Sequence, residues 1–545
     1  MSGILLILLL LVLSGVPLFV VIGGITLVCF AFYPQVGSEN FLNDFEAFVR
    51  NFNVMEKMVA LADEPTLVAI PFFMIAGAIM TRGVIARRLV GLAEALFGWL
   101  PGGMAISAVS ACMLFAAISG SSPVTVITIG AIMLPALHAA GYKENFSLGL
   151  VTSAGSLGIV IPPSIPMIIY AIFASSAGAS VNIENLFIAG IGPGLLIGAC
   201  LAFYCVLIGR HAPREKFSAA KLVAALKDGF WSLMLPLFVL GGIYTGVFNA
   251  TQASAISVIV AFVIEWFVHK ELKMEDLPDL LRESATLMGS ILIIIALAFG
   301  FSEFLTFQEL PEKLQALLVE WELSPIAFAL VLNLMLLVIG CLMDIISAII
   351  LFVPLITPIA LELGFDPLHL GLIFIVNLEI GYLTPPLGLN LFVAAGYFNK
   401  SFGQVVRSVV PFIGMMMVAL VVITYVPWVS LQFVALRDEN AVRMEFPTGA
   451  PVERAPGTQE KSVQEIMQQI DEAPAPKNSG SEEEGYDDYG YGLDEGEDEG
   501  NTNGEMDPIP PIEPSAQGSD GDEPSEINSD VGPIPEGENP SKIQK

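Results

Sequence analysis

The chain repeats a set of backbone-breaking residues at a constant offset of 223 positions. Gly and Pro interrupt regular structure, so their recurrence is more informative than a recurrence of Leu or Ile. At the same offset, the small polar residue Ser121 corresponds to an acid, Asp344. These ungapped matches indicate a duplicated unit. The remaining pairs are Gly77 with Gly300, Pro135 with Pro358, Gly141 with Gly364, Gly158 with Gly381, and Pro162-Pro163 with Pro385-Pro386.

Composition places most of the chain in a membrane. Of the 545 residues, 54% are hydrophobic and 14% are charged, and the mean hydropathy is +0.71. A soluble domain carries about a quarter charged residues. The net charge of −30 is uneven, because residues 437–545 hold 28 acids and 7 bases, a net −21. The sequence therefore predicts a membrane body followed by an acidic tail, and in such a protein paired Gly/Pro interruptions of two halves indicate a transport site.

Apolar segments long enough to cross about 30 Å of hydrocarbon recur along the body. Two others, 103–140 and 325–363, are interrupted midway by polar or small residues. Each could be a pair of spans or a helical hairpin that enters and leaves by one face. Their tips, at 119–123 and 340–344, are too short for exposed loops, which favours re-entrant hairpins with buried tips. The predicted fold is an all-α polytopic membrane protein with an inverted repeat. Its other spans lie near 4–33, 65–81, 147–177, 186–209, 229–249, 251–269, 285–304, 369–398 and 408–430.

The basic residues of the loops predict the orientation of the chain. Cytoplasmic loops are enriched in Lys and Arg. With re-entrant hairpins, one side holds only Arg50, Lys57 and Lys313. The opposite side, with the N-terminus, is predicted to be cytoplasmic, and parity then places the acidic tail on the outer side. The cytoplasmic set is Arg82, Arg87, Arg88, Lys143, Arg210, Arg214, Lys216, Lys221, Lys227, Lys270, Lys273, Arg282, Lys400 and Arg407.

A long span after each hairpin is broken in its middle by a Pro-Pro pair, 162–163 in the first half and 385–386 in the second. Each pair removes two backbone donors and disfavours the helix before it. The carbonyl oxygens freed by unwinding must find partners in protein, water or ions. Such oxygens, with Ser and Thr hydroxyls, suit a hard cation such as Na+, while the helix N-termini at the hairpin tips suit an anionic substrate.

Two acids fall within the predicted membrane elements of the second half, and intramembrane acids are functional by default. Asp344, at a hairpin tip, could hold a cation directly or orient its ligands. Glu379 could be a proton site, a support for a cation ligand, or a partner of a buried backbone donor. Their first-half equivalents, Ser121 and Ser156, are neutral, so the two sites are not expected to be chemically identical.

Other classes of function explain the sequence less well. Pro kinks that only shape a packed bundle would not need two symmetry-related Pro-Pro breaks, each following a polar tip. An enzyme with Ser121 as nucleophile lacks a base, because the four histidines lie mostly at segment ends, and no zinc-protease or phosphate-loop motif occurs. A structural scaffold does not explain polar residues at paired membrane breaks. No nucleic-acid partner is expected.

Four motifs resemble the large membrane subunit of TRAP (tripartite ATP-independent periplasmic) transporters, in order over residues 1 to about 432. They are Ala-Ile-Pro-Phe-Phe at 69–73, Ile-Ser-Gly-Ser-Ser-Pro at 118–123, Ile-Pro-Pro-Ser at 161–164 and Thr-Pro-Pro-Leu-Gly-Leu-Asn at 384–390. The resemblance implies Na+-driven uptake of organic acids such as C4-dicarboxylates across a bacterial inner membrane. It also implies an elevator motion of hairpins and broken spans against a scaffold.

The resemblance also implies partners and site residues. A separate small four-helix membrane subunit and a periplasmic substrate-binding protein complete such a system, and Na+ is a coupling ion rather than a cofactor. A stand-alone Na+- or H+-coupled anion symporter of the same design stays open as an alternative. The implied residues are Ser119, Ser121, Gly155, Val160 and Pro162 for one Na+ site, Gly340, Asp344, Gly381, Thr384 and Leu387 for the second, and Ser122, Ser164 and Asn390 near the substrate.

Six regions follow from these assignments. The scaffold is expected to comprise the spans of 1–102, 178–324 and 399–432, and the transport domain the two hairpin-and-break units 103–177 and 325–398. The tail at 433–545 is rich in Glu, Asp, Gly, Pro and Ser and is expected to be disordered. Short amphipathic helices are compatible with 40–60 and 460–473. The five cysteines, expected to be free thiols, are Cys29, Cys112, Cys200, Cys205 and Cys341.

Overall fold

The computed structural model describes residues 66–211, 216–307 and 324–437, with a few single positions at 20–26 and 442–447. Within these ranges every regular element is helical. Eight of the helices there are long and apolar enough to cross a membrane, which confirms the predicted all-α polytopic class. Almost all of the predicted span 4–33, the amphipathic segments 40–60 and 460–473, and the tail after 447 lie outside the described residues.

Sixteen α-helices are named in chain order across the described ranges. Short 3-10 or π turns adjoin several of them, including Leu157–Ile159 and Ile264–Val268. The helices are α1 (Ala69–Arg82), α2 (Ile85–Phe97), α3 (Gly103–Ser119), α4 (Ser122–Ala139), α5 (Glu144–Ser156), α6 (Ile165–Ser176), α7 (Ile183–Ile208), α8 (Ala219–Tyr244), α9 (Ala250–Val263), α10 (Leu277–Phe307), α11 (Pro325–Leu342), α12 (Ile345–Glu362), α13 (Pro367–Gly381), α14 (Leu389–Tyr397), α15 (Phe402–Tyr425) and α16 (Pro427–Ala435).

Both predicted hairpins are present, and their helices follow the duplication. α3 and α4 are joined by only Gly120 and Ser121, and α11 and α12 by only Met343 and Asp344. Helix starts in the two halves keep the offset of the sequence repeat: α4 and α12 begin 223 residues apart, as do α5 and α13. The repeat therefore specifies the same hairpin and broken helix twice.

The two halves interlock through their hairpins. The second hairpin helix of each half, α4 or α12, packs against the helix that follows the break in the other half, α14 or α6. The long helices α7 and α15 also cross over, because α7 packs against α13 and α15 packs against α5. Each of these contacts has its counterpart in the other half, so the core is organised around an internal two-fold relation.

Helix α2 lies where the sequence analysis places a charged loop. Arg87 and Arg88 suggested a loop, but they occupy the polar side of an amphipathic helix whose other side buries Ile85 and Leu89. A 73° bend separates α1 from α2. The apolar spacing of α2 is helical, and that signal is partly hidden by the adjacent charges.

Ordered structure continues past residue 432, the predicted end of the last span. Helix α16 runs to Ala435. The ring of Phe446 then packs against Phe365 and Tyr425, with 5.6 Å between ring centroids in both pairs. The first residues after the predicted boundary therefore belong to the membrane body. Four of the predicted free thiols, all but Cys29, lie in the described ranges and are unpaired there.

Candidate functional site

Each hairpin tip packs against the interruption of the helix that follows it. In the first half, α5 ends at Ser156, and Pro162-Pro163 delays the next helix. In the second half, α13 ends at Gly381, and Pro385-Pro386 delays the start of α14 in the same way. Proline cannot donate a backbone hydrogen bond and restricts the residue before it. We define tip 1 as residues 119–122, break 1 as 157–164, tip 2 as 340–345 and break 2 as 381–388.

The duplicated glycine pair Gly158 and Gly381 allows this contact in both halves. A methyl group on Gly158 would lie 2.5 Å from the carbonyl oxygen of Ser121. A methyl group on Gly381 would lie 2.5 Å from the carbonyl carbon of Gly340. Such distances leave no room for a side chain, so each break approaches its own tip backbone to backbone.

Oxygen atoms converge at tip 1. The Ser121 carbonyl accepts a hydrogen bond from the Thr125 hydroxyl at 2.8 Å, and the Ser119 hydroxyl lies 2.9 Å from Thr125 Oγ1. Ser119 and Thr125 are buried. Carbonyl and hydroxyl oxygens are the ligands that hard cations prefer. Thr125 is absent from the sequence-derived site, although its position one helical turn after Ser121 could have indicated it.

The other residues expected at the first cation site are spread over break 1. Gly155 packs against Val126 of α4, whose backbone nitrogen would lie 2.9 Å from a methyl group at Gly155. The Val160 carbonyl oxygen faces α7, where it would lie 3.0 Å from a methyl group placed on Gly190. Pro162 is buried. The structure therefore brings Ser119 and Ser121 together, whereas the carbonyl of Val160 points toward a neighbouring helix.

At tip 2, Asp344 caps helix α12. Its carboxylate accepts from the Ser347 backbone nitrogen at 3.0 Å and from the Ser347 hydroxyl at 2.5 Å. The Tyr382 hydroxyl of break 2 accepts from the Ile345 backbone nitrogen at 3.0 Å. Asp and Ser are both favoured caps, but Ser121 makes no such side-chain bond at the start of α4. Tyr382, like Thr125, is a contact that the sequence analysis missed.

Break 2 is tied to tip 2 and is more exposed than break 1. The Leu387 backbone nitrogen donates to the Cys341 carbonyl at 3.1 Å, and the Thr384 hydroxyl donates to the Ile380 carbonyl at 2.8 Å. Leu387 is 49% exposed, and both prolines of this break are exposed, whereas those of break 1 are buried. The second candidate cation site is therefore the more accessible of the two.

Two of the three residues expected near the substrate meet between the halves. The Asn390 side-chain nitrogen donates to the Ser122 hydroxyl at 2.5 Å. Both side chains are buried, and Asn390 Oδ1 has no hydrogen-bond partner among the described residues. Ser164 instead donates to the Ile159 carbonyl of its own break at 2.6 Å. Asn390 thus links tip 1 to the helix that begins after break 2.

Glu379 is hydrogen-bonded to its own equivalent in the other half. Ser156 Oγ lies 2.7 Å from Glu379 Oε1, and the two residues are 223 positions apart. Ser156 Oγ also lies 2.7 Å from the Ser153 carbonyl oxygen. Both side chains are fully buried, and Glu379 Oε2 has no hydrogen-bond partner in the described part of the chain. This buried contact joins the two broken helices, α5 and α13.

Comparison with known proteins identifies the family. Residues 5–429 match the family described as the tripartite ATP-independent periplasmic transporter, DctM component. The C4-dicarboxylate TRAP transporter large permease protein DctM of Pseudomonas aeruginosa is 41% identical over 378 residues, which is 69% of this chain and 87% of that protein. The ectoine/5-hydroxyectoine TRAP transporter large permease protein UehC of Ruegeria pomeroyi is 34% identical over 395 residues, 72% of this chain and 91% of its own.

A solved structure shares the fold at low sequence identity. The crystal structure of the YdaH transporter of Alcanivorax borkumensis aligns with a TM-score of 0.53 and 14% identity, covering 79% of this chain and 99% of that chain. The Pseudomonas aeruginosa and Ruegeria pomeroyi relatives are both named as TRAP transporter permeases, in agreement with the prediction of a transporter rather than an enzyme. The resemblance of the four sequence motifs is confirmed: the chain belongs to the DctM family of TRAP transporter large permeases, which are multi-pass membrane proteins.

Proposed function

We propose that this large permease uses a Na+ gradient to take up an organic acid delivered by a periplasmic substrate-binding protein. The observation that carries the proposal is the duplicated pairing of a hairpin tip with a helix break. In both halves a glycine lets backbone groups of the tip and the break meet. Interrupted helices at corresponding places of two halves are typical of ion and substrate sites in secondary transporters.

The two tip-and-break pairs are the proposed Na+ sites. The first comprises Ser119, Ser121, Gly155, Val160 and Pro162, to which the convergence of hydroxyls adds Thr125. The second comprises Gly340, Asp344, Gly381, Thr384 and Leu387. Only the second contains an acid, so it supplies the larger electrostatic attraction for a cation. Its greater exposure makes it the site that exchanges ions more readily in this conformation.

The proposed substrate is a carboxylate-bearing acid, with C4-dicarboxylates as the first class to test. Helices α4 and α12 begin at the two tips, and helix N-termini favour anions. The Ser122–Asn390 pair lies between the halves, and Asn390 and Ser164 offer polar groups for orienting a bound acid. One matched relative is named for C4-dicarboxylates and another for ectoine, so the class has to be measured rather than transferred.

The proposed motion is an elevator movement of the hairpins and broken helices against a scaffold. Helices α7 and α15, assigned to the scaffold from the sequence, pack directly on the broken helices, so we include them in the moving block. A separate small four-helix subunit would enlarge the scaffold. The distribution of basic residues supports a cytoplasmic N-terminus and an inner-membrane location.

The test is uptake of labelled organic acids into proteoliposomes that contain this chain and its small subunit. Each acid is assayed with and without the cognate binding protein, and with an inward Na+ gradient or an equal gradient of choline. The proposal requires uptake that depends on both the binding protein and Na+. Uptake that needs Na+ but no binding protein would identify a stand-alone symporter, and uptake indifferent to Na+ would contradict Na+ coupling.

A further inference from the structure

The contact between Ser156 and Glu379 joins equivalent positions of the duplicated halves. In a structure with an internal two-fold relation, equivalent residues contact each other only beside the axis that relates the halves. Both side chains are fully buried, and their oxygens lie 2.7 Å apart. Beyond this bond, the described ion pairs, Arg88–Asp228, His269–Glu265 and Lys400–Glu144, do not involve Glu379. The contact is therefore a direct polar link between the halves.

The link also connects the two proposed cation sites through the chain. Ser156 directly follows Gly155 and directly precedes break 1. Glu379 lies in the last turn of α13, whose final residue is Gly381. We propose that the Ser156–Glu379 hydrogen bond couples the two cation sites, so that occupation of one raises the Na+ affinity of the other. This inference rests on the proposed function, because it concerns how those two sites cooperate.

The geometry around Ser156 provides the two alternative arrangements that such coupling needs. The hydroxyl has one proton, yet two acceptors lie at 2.7 Å, the Ser153 carbonyl oxygen and Glu379 Oε1. When the proton points to Ser153, the bond stays within α5, and the carboxylate oxygen, which then faces the lone pairs of Ser156 Oγ with no proton between them, turns away. When it points to Glu379, it joins α5 to α13. A cation that orders either break shifts the balance between these arrangements, and the effect is reciprocal by linkage.

Burial makes this single bond matter. Inside a protein a hydrogen bond is stronger than in water, and an unpaired polar atom is more costly. Glu379 Oε2 has no partner among the described residues, so the carboxyl group is held mainly through Oε1. The Ser156 hydroxyl therefore controls the orientation of Glu379, which acts as a positioning residue for break 2 rather than as a cation ligand.

The experiment measures Na+-dependent thermal stabilisation of the full-length chain purified with its small subunit. Sodium chloride replaces choline chloride at constant ionic strength, and the stabilisation is obtained from the shift of the unfolding midpoint. A ligand bound by the folded state stabilises it in proportion to the logarithm of its binding, so the slope of the stabilisation against ln[Na+] gives the number of Na+ ions bound, and this slope is fitted for a Hill coefficient. Ser156→Ala and Glu379→Met each remove the bond. We expect a Hill coefficient above unity for the wild type and near unity for both variants, with the half-saturating Na+ concentration raised about 2- to 10-fold.

Two variants separate the bond from the mere alteration of a buried side chain. Ser153→Ala removes a hydroxyl from the same helix, one that has no hydrogen-bond partner within the described ranges. Glu379→Gln removes the charge but keeps groups that can bond to Ser156. Both are expected to retain the wild-type Hill coefficient, and Ser156→Ala combined with Glu379→Met is expected to be no worse than either alone.

The outcomes distinguish this inference from the proposed function. A wild type that responds to Na+ with a Hill coefficient of unity, or a coefficient unchanged in Ser156→Ala and Glu379→Met, overturns the coupling while leaving Na+ binding intact. A wild type that does not distinguish Na+ from choline contradicts Na+ coupling itself, and the inference falls with it. If one variant fails to fold, the other removes the same hydrogen bond from the opposite side, and its Hill coefficient tests the coupling equally well.

Discussion

At the scale of single residues, the two tips share a backbone plan but differ in charge. Ser121 and Asp344 both precede the first residue of the second hairpin helix. The Asp344 carboxylate accepts hydrogen bonds from the Ser347 nitrogen and hydroxyl. Its role as a helix cap therefore has to be separated from its proposed role as a cation ligand. Asparagine caps a helix as well as aspartate does but carries no charge.

Asp344→Asn is predicted to weaken Na+ binding without weakening the fold. The half-saturating Na+ concentration for stabilisation or uptake should rise roughly tenfold or more, because a unit charge near the cation is lost. The unfolding midpoint without Na+ should hardly change. Asp366→Asn is the matched control, since Asp366 caps α13 by accepting from Leu368 and His369 away from the tips. Equal Na+ responses in the two variants would exclude Asp344 from the site.

Gly381→Ala is predicted to separate tip 2 from break 2. The added methyl group would meet the Gly340 backbone at 2.5 Å, and overpacking of this kind costs about 1 to 3 kcal/mol. We expect a lower unfolding midpoint and a loss of Na+-stimulated uptake. Gly414→Ala in α15, where no atom of the described residues lies within 4 Å of the added group, should be neutral or slightly stabilising. A fully active Gly381→Ala variant would contradict the close approach.

At the scale of helices, the sequence predicts those features that depend on rare, backbone-breaking residues. Repeated Gly and Pro residues locate both hairpins and both breaks, because these residues act on the backbone locally. The polar network of the second half is not predictable in this way. Asn377 donates to Asn333 at 2.7 Å, Asn333 to Thr424 at 3.0 Å, and the His369 ring lies between the Thr424 carbonyl and Ser430. Its members come from four helices, and only tertiary packing brings them together.

The same reason explains why two residues at the tips were not predicted from the sequence. Thr125 and Tyr382 were not expected at the tips, because neither belongs to the motifs that carry the resemblance. Thr125 is signalled only by its helical spacing from Ser121, and Tyr382 only by the structure, in which its hydroxyl reaches the start of α12. Residue types and spacing can indicate that oxygen ligands are available, but not which carbonyl oxygens face one another.

The network that links α11, α13 and α15 is predicted to hold these helices together. Asn333→Leu removes the partner of both Asn377 and Thr424 and should lower the free energy of unfolding by about 0.5 to 1.5 kcal/mol, a typical range for such bonds in membranes. Adding Asn377→Leu should cost less than the sum of the two single changes. Chemical denaturation in detergent measures both. Strict additivity would show that the two amides do not depend on each other.

At the scale of the whole molecule, the membrane body and the acidic tail are predicted to be separable, with the boundary after Phe446. Deletion of residues 448–545 should leave Na+-driven uptake and the unfolding midpoint unchanged. Deletion of 437–545 also removes the ring contacts of Phe446 with Phe365 and Tyr425. It should lower the free energy of unfolding by about 1 kcal/mol, while the transport core stays active. Loss of uptake by a well-folded protein lacking 448–545 would give the tail a direct role in transport.

In the proposed mechanism, two symmetry-related tip-and-break sites each bind Na+ during transport. The most direct test is the simultaneous flux of radioactive sodium and labelled substrate in proteoliposomes containing this chain, its small subunit and the binding protein. We expect at least two Na+ ions per substrate molecule, with a lower ratio or lost coupling in Asp344→Asn. A ratio of one Na+ or none in the wild type would contradict the claim that both duplicated sites carry the coupling ion.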